Sequence, residues 1–268
     1  IADPDQALTE LDQAYVQYKN DSVTAKVGRQ VITLDNHRHV GHVAWRQDKQ
    51  TFDAARVTLT PAKDLKLDLS YIYKVNRINS PHFPDVNTDI VLFNGSYKTP
   101  VGKVAAYYYG MSQDGLYDET ETVGAYLDGS FGGDVKGLYK FEFATQDNNT
   151  RGLSADYTLM EVGVKASGVT FKASWEDTGS GTSADGVTEN FTTPLSTIHK
   201  FNGWADVFLG AGLFGAANGG VGVEAAEHGG RDDAEHAGAE EAAHAVNPED
   251  VEGVIVPVLL LDDEGEEP

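Results

Sequence analysis

The chain has no cysteine, so it holds no disulfide framework, no thiolate metal centre and no cysteine nucleophile. That absence suits a protein exposed to an oxidising periplasm, where a stray thiol is a liability. No run of roughly 18 apolar residues occurs, which excludes a membrane-spanning helix and leaves strands as the means of crossing a bilayer. Basic residues are scarce, 20 against 42 acidic for a formal net charge of −22. Without a basic face, nucleic acid is excluded as a partner. The chain opens on Ile1, with neither an initiator methionine nor a signal peptide, and reads as a mature product or, as we favour, a fragment.

The charge is uneven. From Gly210 on there are 15 acidic residues and one basic, Arg231, leaving 27 acidic against 19 basic before that point. The same stretch contains no Ser, Thr, Lys, Gln, Tyr or Trp, although serine and lysine are among the commonest residues of ordinary domains. Residues 210–268 therefore form a separate low-complexity acidic tail, consistent with a shifted reading frame or an artificial junction near Leu209. Sparse aromatics and high like charge predict that it is mostly disordered.

Residues 11–177 are a different polymer, in which apolar residues recur with period two, as in a strand with one greasy face. Leu65, Leu67, Leu69, Tyr71 and Tyr73 oppose Lys66, Asp68 and Ser70. Tyr139, Phe141 and Phe143 oppose Lys140 and Glu142, and Val169, Phe171, Ala173 and Trp175 oppose Lys172 and Ser174. This spacing predicts about ten strands, near 11–19, 23–32, 51–60, 65–75, 89–98, 103–111, 122–131, 135–145, 155–166 and 169–176. They are joined alternately by tight, turn-forming connections (Asn20-Asp21, 61–64, 99–102, 132–134, Ser167-Gly168) and by long polar ones (33–50, 76–87, 112–121, 146–153, 178–194). Short returns on one side and long loops on the other are the pattern of an outer-membrane barrel. The predicted fold class is all-β: an antiparallel transmembrane β-barrel, partial or incompletely closed, over residues 1–209.

Parity then assigns a lining. Charged groups stay hydrated in a lumen, whereas Arg or Lys at the bilayer midplane costs roughly 2–4 kcal/mol. Lys26, Arg56, Lys66, Asp128, Lys140, Glu142, Glu161, Lys165 and Lys172 are accordingly expected to line the pore, or to pair across neighbouring strands and stiffen its wall. Arg29 falls by the same count on the lipid side, which predicts a bulge at Gly28 that flips the parity, or a strand end already clear of hydrocarbon.

Other clusters carry less. His37, His39 and His42 beside Asp35 read as a solvated loop, because no regular spacing brings three of them to one point. His228, His236 and His244 recur every eight residues, which on a helix drifts around the axis. Gly179 to Ser183 reads as a loop tip, lacking the lysine of a phosphate loop. There is no G-x-S-x-G nucleophile motif and no spacing that pairs a base with an orienting acid. The chain does not read as an enzyme, and no catalytic residue, cofactor or metal site is assigned.

One block of residues is more specific. Gly28-Arg29-Gln30, Asp35, Arg38-His39-Val40-Gly41, Trp45-Arg46-Gln47, Gln50-Thr51-Phe52-Asp53, Tyr71-Ile72 and Val75-Asn76-Arg77-Ile78 together resemble the alginate-export-type family of outer-membrane porins. Phe201-Asn202-Gly203-Trp204-Ala205-Asp206 fits the same family, so that the resemblance covers roughly residues 5–209. It implies a barrel of many strands in the Gram-negative outer membrane, a pore for anionic or sugar-like solutes, and loops folded inward to narrow it. By that analogy Arg29, Arg38, Arg46 and Arg77 are candidates for the constriction. Such a protein would continue past Asp206 into further strands and end on an aromatic residue, whereas this chain ends Glu266-Glu267-Pro268. An open or strained sheet is therefore expected unless missing segments are supplied.

The function read from this is passive diffusion or export of small or polymeric anionic or carbohydrate solutes, with outer-membrane lipid and the diffusing solute as partners. The alternatives are a truncated, non-conducting barrel fragment and a soluble β-sandwich binding module whose greasy stripes would be buried between two sheets. The oligomeric state is left open.

Overall fold

A computed structural model describes residues 11–43, 49–78, 86–112, 118–167, 169–197 and 201, and the backbone of 258–261. The strands are β1 (Ala14–Lys19), β2 (Val23–Gln30), β3 (Thr51–Ala62), β4 (Leu65–Asn76), β5 (Val86–Thr99), β6 (Gly102–Ser112), β7 (Thr120–Gly132), β8 (Val135–Asn148), β9 (Leu153–Ala166), β10 (Val169–Thr178), β11 (Ser180–Thr182), β12 (Thr188–Asn190) and β13 (Val258–Leu261). From β1 to β10 each strand pairs antiparallel with the next in one continuous sheet, to which β13 adds beyond β10. β11 and β12 form a separate two-stranded hairpin. All ten strands read from the sequence are present, several of them longer: β5, β8 and β9 run 14 residues, more than the 9–11 or so that a tilted strand needs to cross a bilayer.

Local chemistry closes the short returns. Asn20 Oδ1 accepts the amides of Ser22 at 2.9 Å and Val23 at 2.7 Å, and Thr99 Oγ1 donates to the Gly102 carbonyl at 2.7 Å. Side-chain oxygens of this kind fold a chain back on itself within two or three residues. Antiparallel strands then propagate one face across the whole wall: Lys26 lies beside Arg56, Arg56 beside Ser70, Asp128 beside Lys140, and Lys140 beside Glu161.

The two faces are inverted relative to a soluble sandwich. Val27, Leu69, Val123, Phe143 and Val162 are each more than half exposed, on a face that also carries Tyr71, Phe93, Phe141, Met160, Phe171 and Trp175 in the open. A contiguous apolar surface of this extent needs a non-aqueous neighbour. Among the described residues no second sheet covers it, which overturns the sandwich alternative. The protein packs instead on the polar-parity face. There Ile32, Leu34, Val40, Phe191 and Leu195 form a buried cluster with Phe52, Ile72, Leu92, Tyr107 and Tyr109 of the wall. The half of that face nearest the long loops is thus a packed core and not open lumen, a correction to the simple two-face reading.

Two further expectations change. The register runs without a break past Gly28, pairing Val27 with Val16 and Arg29 with Ala14, so Gly28 opens no bulge. Irregularities lie instead in the β3–β4 ladder, one between Leu59 and Ala62 and one where the pairing jumps from Ile72 to Lys74 and leaves Tyr73 as the extra residue against β3. That bulge turns Val75, which strict alternation would place with Tyr73 on the bare face, into the buried core. Gly28 matters for another reason. Its φ is +123°, and a Cβ there would run into the Ala14 carbonyl and come within 2.9 Å of the Tyr15 Cα. Gly28→Val should therefore detach β1, at a strain of roughly 1–3 kcal/mol, and expose residues 11–20 to limited proteolysis while β3–β9 stay protected.

Of the acidic tail the structure describes only the backbone of 258–261. Val258–Leu261 pairs with Val169–Lys172, its unbroken apolar alphabet being what a strand edge in hydrocarbon accepts. His228, His236 and His244 lie outside the described residues.

Candidate functional site

Two connections fold back onto the wall and hold each other there. Residues 31–43 turn tightly, with φ of +51° at Asp35, +71° at His37 and +54° at Val43. Val40 then meets Leu195 in a parallel bridge. The Gly41 amide donates to the Leu195 carbonyl at 2.8 Å, and the Thr197 amide to the His37 carbonyl at 3.1 Å. Gln50 clamps both, its Nε2 donating to Gly41 at 2.8 Å and Leu195 at 3.1 Å. A side chain on Gly41 would collide with Thr197, so the approach depends on glycine.

Three side chains pin the first connection to the strands. Arg38 is 2% exposed; its Nε donates to Glu176 at 2.6 Å and its Nη1 to Thr193 at 2.9 Å. Tyr157 donates to the same Glu176 oxygen at 2.6 Å, and the guanidinium sits over the rings of Tyr157 and Phe201. Burial alone would favour loss of the Arg38 proton, but Glu176 outweighs it and holds the group above its ordinary range. It remains a cation at every working pH. His39 Nε2 lies 3.1 Å from Glu142 Oε1 and 3.1 Å from the Tyr107 hydroxyl, with its ring packed between Tyr107, Tyr157 and Phe191. Asp35 takes Lys103 at 3.0 Å, Asn94 Nδ2 at 2.6 Å and the Tyr126 hydroxyl. Asn94, Tyr107, Tyr126 and Glu142 sit on the middles of β5 to β8, so the first connection crosses the wall near mid-height.

The solvated-loop reading of the histidines is overturned by this packing. His39 is built into the wall, and His37 and His42 meet edge to face with centroids 5.4 Å apart. Burial, and then the charge of Lys49, lower the His42 pKa against the opposing pull of Asp12. Gly179 to Ser183 is also not a loop tip: Ser180–Thr182 forms β11, and the tip is the Ser183–Val187 turn.

All nine residues assigned to the lining by parity share the face on which these connections pack. They are not equivalent. Arg56 is bound to Asp68 through Nη2 at 2.7 Å and Nε at 3.0 Å, and Lys140 to Glu142 at 2.8 Å. Both pairs are largely buried, so their charges are spent within the wall. Lys172 pairs with Glu161 at 2.8 Å but stays half exposed. Lys26 is half exposed, with Nζ over the Tyr15 ring at 4.3 Å. Lys66 and Asp128 are exposed, and Lys165 is half exposed. Toward the short returns this face is open and charged.

The arginines assigned to a constriction separate. Arg38 lies in the inward connection. Arg29 does not: it remains on the Val27 face, where Nε and Nη2 grip Asp53 at 2.8 and 3.2 Å and Nη1 donates to the Leu11 carbonyl. A paired guanidinium at the loop end of β2 needs no parity flip, because its charge is neutralised where it stands. Arg77 is half-buried just beyond β4, and Arg46 lies outside the described residues, as do Trp45 and Trp204. Sequence reasoning missed Tyr107, Tyr126 and Glu176, and gave Asp35 no role in the site. Tyrosines on the parity of the charges were the available signal, since large aromatics there require something to cover them.

A groove of about 510 Å³ on the opposite, bare face is walled by Val104, Phe141, Phe143 and Met160. It is apolar and meets hydrocarbon, so it is not a solute site.

Comparison with known proteins agrees with this geometry. The alginate export family model matches residues 1–174; the Phe201–Asp206 block falls beyond that match. No curated protein sequence matches the chain. Among solved structures it is similar to a BenF-like porin from Pseudomonas fluorescens (14% identity, TM-score 0.50, 60% of this chain and 44% of that one). It is also similar to Pseudomonas aeruginosa OccD3 (13%, TM-score 0.54, 65% and 44%) and to Pseudomonas aeruginosa OpdK with vanillate (12%, TM-score 0.53, 68% and 49%). At such identities the likeness is one of fold. The chain spans 44 to 49% of the length of these porins.

Proposed function

Because the chain belongs to the alginate export family, a family of the Gram-negative outer membrane, we propose that its sheet is part of the wall of a passive channel for anionic or carbohydrate solutes. The observation that carries this reading is the inversion of the wall: apolar side chains bare on one face, and charges, tyrosines and two inward connections on the other. No bond is made or broken. Solute moves down its gradient through water, and the connections around Arg38 and His39 set the narrowest point.

Below that point the half-exposed and exposed cations Lys26, Lys66, Lys165 and Lys172 face Asp128 and Glu161. A lining of both signs orients polar solutes, and the excess of lysine favours anions. The vanillate of OpdK, a carboxylate, supports that solute class. Lys66→Glu with Lys172→Glu should shift the reversal potential in planar bilayers toward cation preference, with the folded, heat-modifiable form retained. An unchanged potential would count against the lining. Lys66 and Lys172 are better probes than Arg56 or Lys140, whose reversal would also break buried ion pairs.

A second reading is favoured by one feature. Among the described residues β1 has no partner beyond β2, and a sheet left open there would be a non-conducting wall. Absence of any conductance from purified chain that inserts into vesicles would select it.

A further inference from the structure

The donors that hold Asp35 belong to the wall and not to its own connection. The residue as a whole is exposed, but its carboxylate dips onto β5, β6 and β7 and is 16% exposed. Oδ1 accepts from Lys103 Nζ at 3.0 Å and from the Tyr126 hydroxyl, and Oδ2 accepts from Asn94 Nδ2 at 2.6 Å. The same amide nitrogen also donates to the Tyr109 hydroxyl at 3.3 Å, which fixes the direction in which it points. Asn94, Tyr109 and Tyr126 are buried, so a donor aimed at this spot is costly without an acceptor. Lys103 and Lys140 stand over the Tyr126 ring at 5.0 and 5.2 Å and make the place still more favourable for negative charge.

We infer that Lys103, Asn94 and Tyr126 form a binding site for the carboxylate of a solute, and that Asp35 occupies it as an internal stand-in which the solute displaces. The inference rests on the channel reading above and narrows its solutes to carboxylates.

Access is from the side of the short returns. Lys103 pairs in the ladder with Asp128, two residues nearer the β7–β8 return than Tyr126, and unlike the other two donors it is half exposed. Lys98 lies opposite Lys103, and Lys66 lies opposite Ser96, between Asn94 and Lys98 on the same face. Both are exposed. Anions gathered by these lysines meet Lys103 first.

Exchange replaces one carboxylate by another, so the buried donors keep an acceptor and the Asp35 charge passes into water. A tethered carboxylate competes at an effective concentration of about millimolar or more, which keeps solute binding weak enough for release. The backbone at Asp35 is left-handed, with φ of +51°, a conformation that aspartate tolerates without preferring it. Arg38 and His39 hold the rest of the connection to Glu176 and Glu142, so displacement lifts only the tip.

The full chain is refolded in detergent, with heat-modifiable migration as the check of folding, and tested in two ways. Acetate, which is the aspartate side chain cut free, should accelerate proteolysis within residues 31–37 of the unsubstituted chain several-fold over chloride at equal ionic strength, whereas acetamide should not. Equal cleavage in acetate and chloride overturns the inference. Asp35→Gly then removes the competitor and suits the positive φ. Acetate, followed by the broadening of its methyl resonance, should bind this variant at least about tenfold more tightly than the unsubstituted chain, because apparent affinity scales with the fraction of time the site is open. Lys103→Met added to Asp35→Gly should abolish the gain. Asp128→Asn removes a negative charge beside Lys103 without opening the site and should give a much smaller one. A gain no larger for Asp35→Gly than for Asp128→Asn, or one that survives Lys103→Met, also overturns the inference; if Asp35→Gly does not fold, the acetate effect on the unsubstituted chain decides. Failure of the membrane reading shows separately, as chain that stays soluble without detergent and does not enter vesicles, whatever acetate does.

Discussion

Arg38→Ala is expected to release residues 31–43 from the wall and to widen the channel. The substitution removes a guanidinium that is 2% exposed and that binds Glu176 at 2.6 Å and Thr193 at 2.9 Å. It leaves the Glu176 carboxylate, itself mostly buried, with the Tyr157 hydroxyl as its donor among the described residues. Breaking a buried pair by deleting one partner costs roughly 3–5 kcal/mol, chiefly because the survivor keeps its charge in a medium that cannot solvate it. The loss falls on the connection and not on the strands, whose ladders do not pass through Arg38. Conductance should therefore rise, and proteolysis within 31–43 should accelerate, while migration on heating stays that of a folded sheet. Arg38→Lys keeps the charge but lacks the fork that reaches Glu176 and Thr193 together, so it should fall between wild type and alanine. Unchanged conductance with intact protection of 31–43 would show that the arginine does not hold the constriction. Arg38→Ala with Glu176→Gln should recover part of the stability, since no charge is then stranded.

Val162→Arg is the second large effect, and it tests which solvent meets which face. Val162 is 55% exposed at the middle of β9, among Tyr139 and Ala173 on the neighbouring strands. If that face meets hydrocarbon, arginine there should lower folding stability in vesicles by roughly 2–4 kcal/mol. In a protein whose bare face met water the same change would be close to neutral. The control is Ser174→Arg, at the height of Glu161 on the opposite face, where an arginine meets a carboxylate and water and should cost little. The contrast is read as the shift in the urea midpoint of folding into vesicles. Equal shifts for the two variants would contradict the assignment of faces.

The strands, their order and the parity of their side chains were legible in the sequence because they depend on nearest neighbours. A period of two fixes which residues share a face, and turn residues such as Asn20 and Thr99 fix where the chain reverses. Ten strands joined by nine consecutive hairpins leave little freedom in how they can pair. The alternation of Leu69 and Tyr71 with Asp68 and Ser70 already separated the two solvents. The same reasoning failed at Val75, since a single extra residue at Tyr73 inverts everything after it, and a bulge has no sequence signature strong enough to locate. It was therefore placed at Gly28, where the glycine serves a close approach instead.

The inward connections belong to the tertiary structure alone. Arg38 and Glu176 are 138 residues apart, and His39 and Glu142 are 103 apart; no periodicity links positions so distant. Whether a charge opposite a greasy stripe stays exposed, as Lys66 does, or is consumed in a buried pair, as Lys140 is, depends on what folds over it. Local pattern determined the wall and its two solvents. Long-range packing decided where the wall is covered, where it stays open, and which of its charges remain to meet a solute.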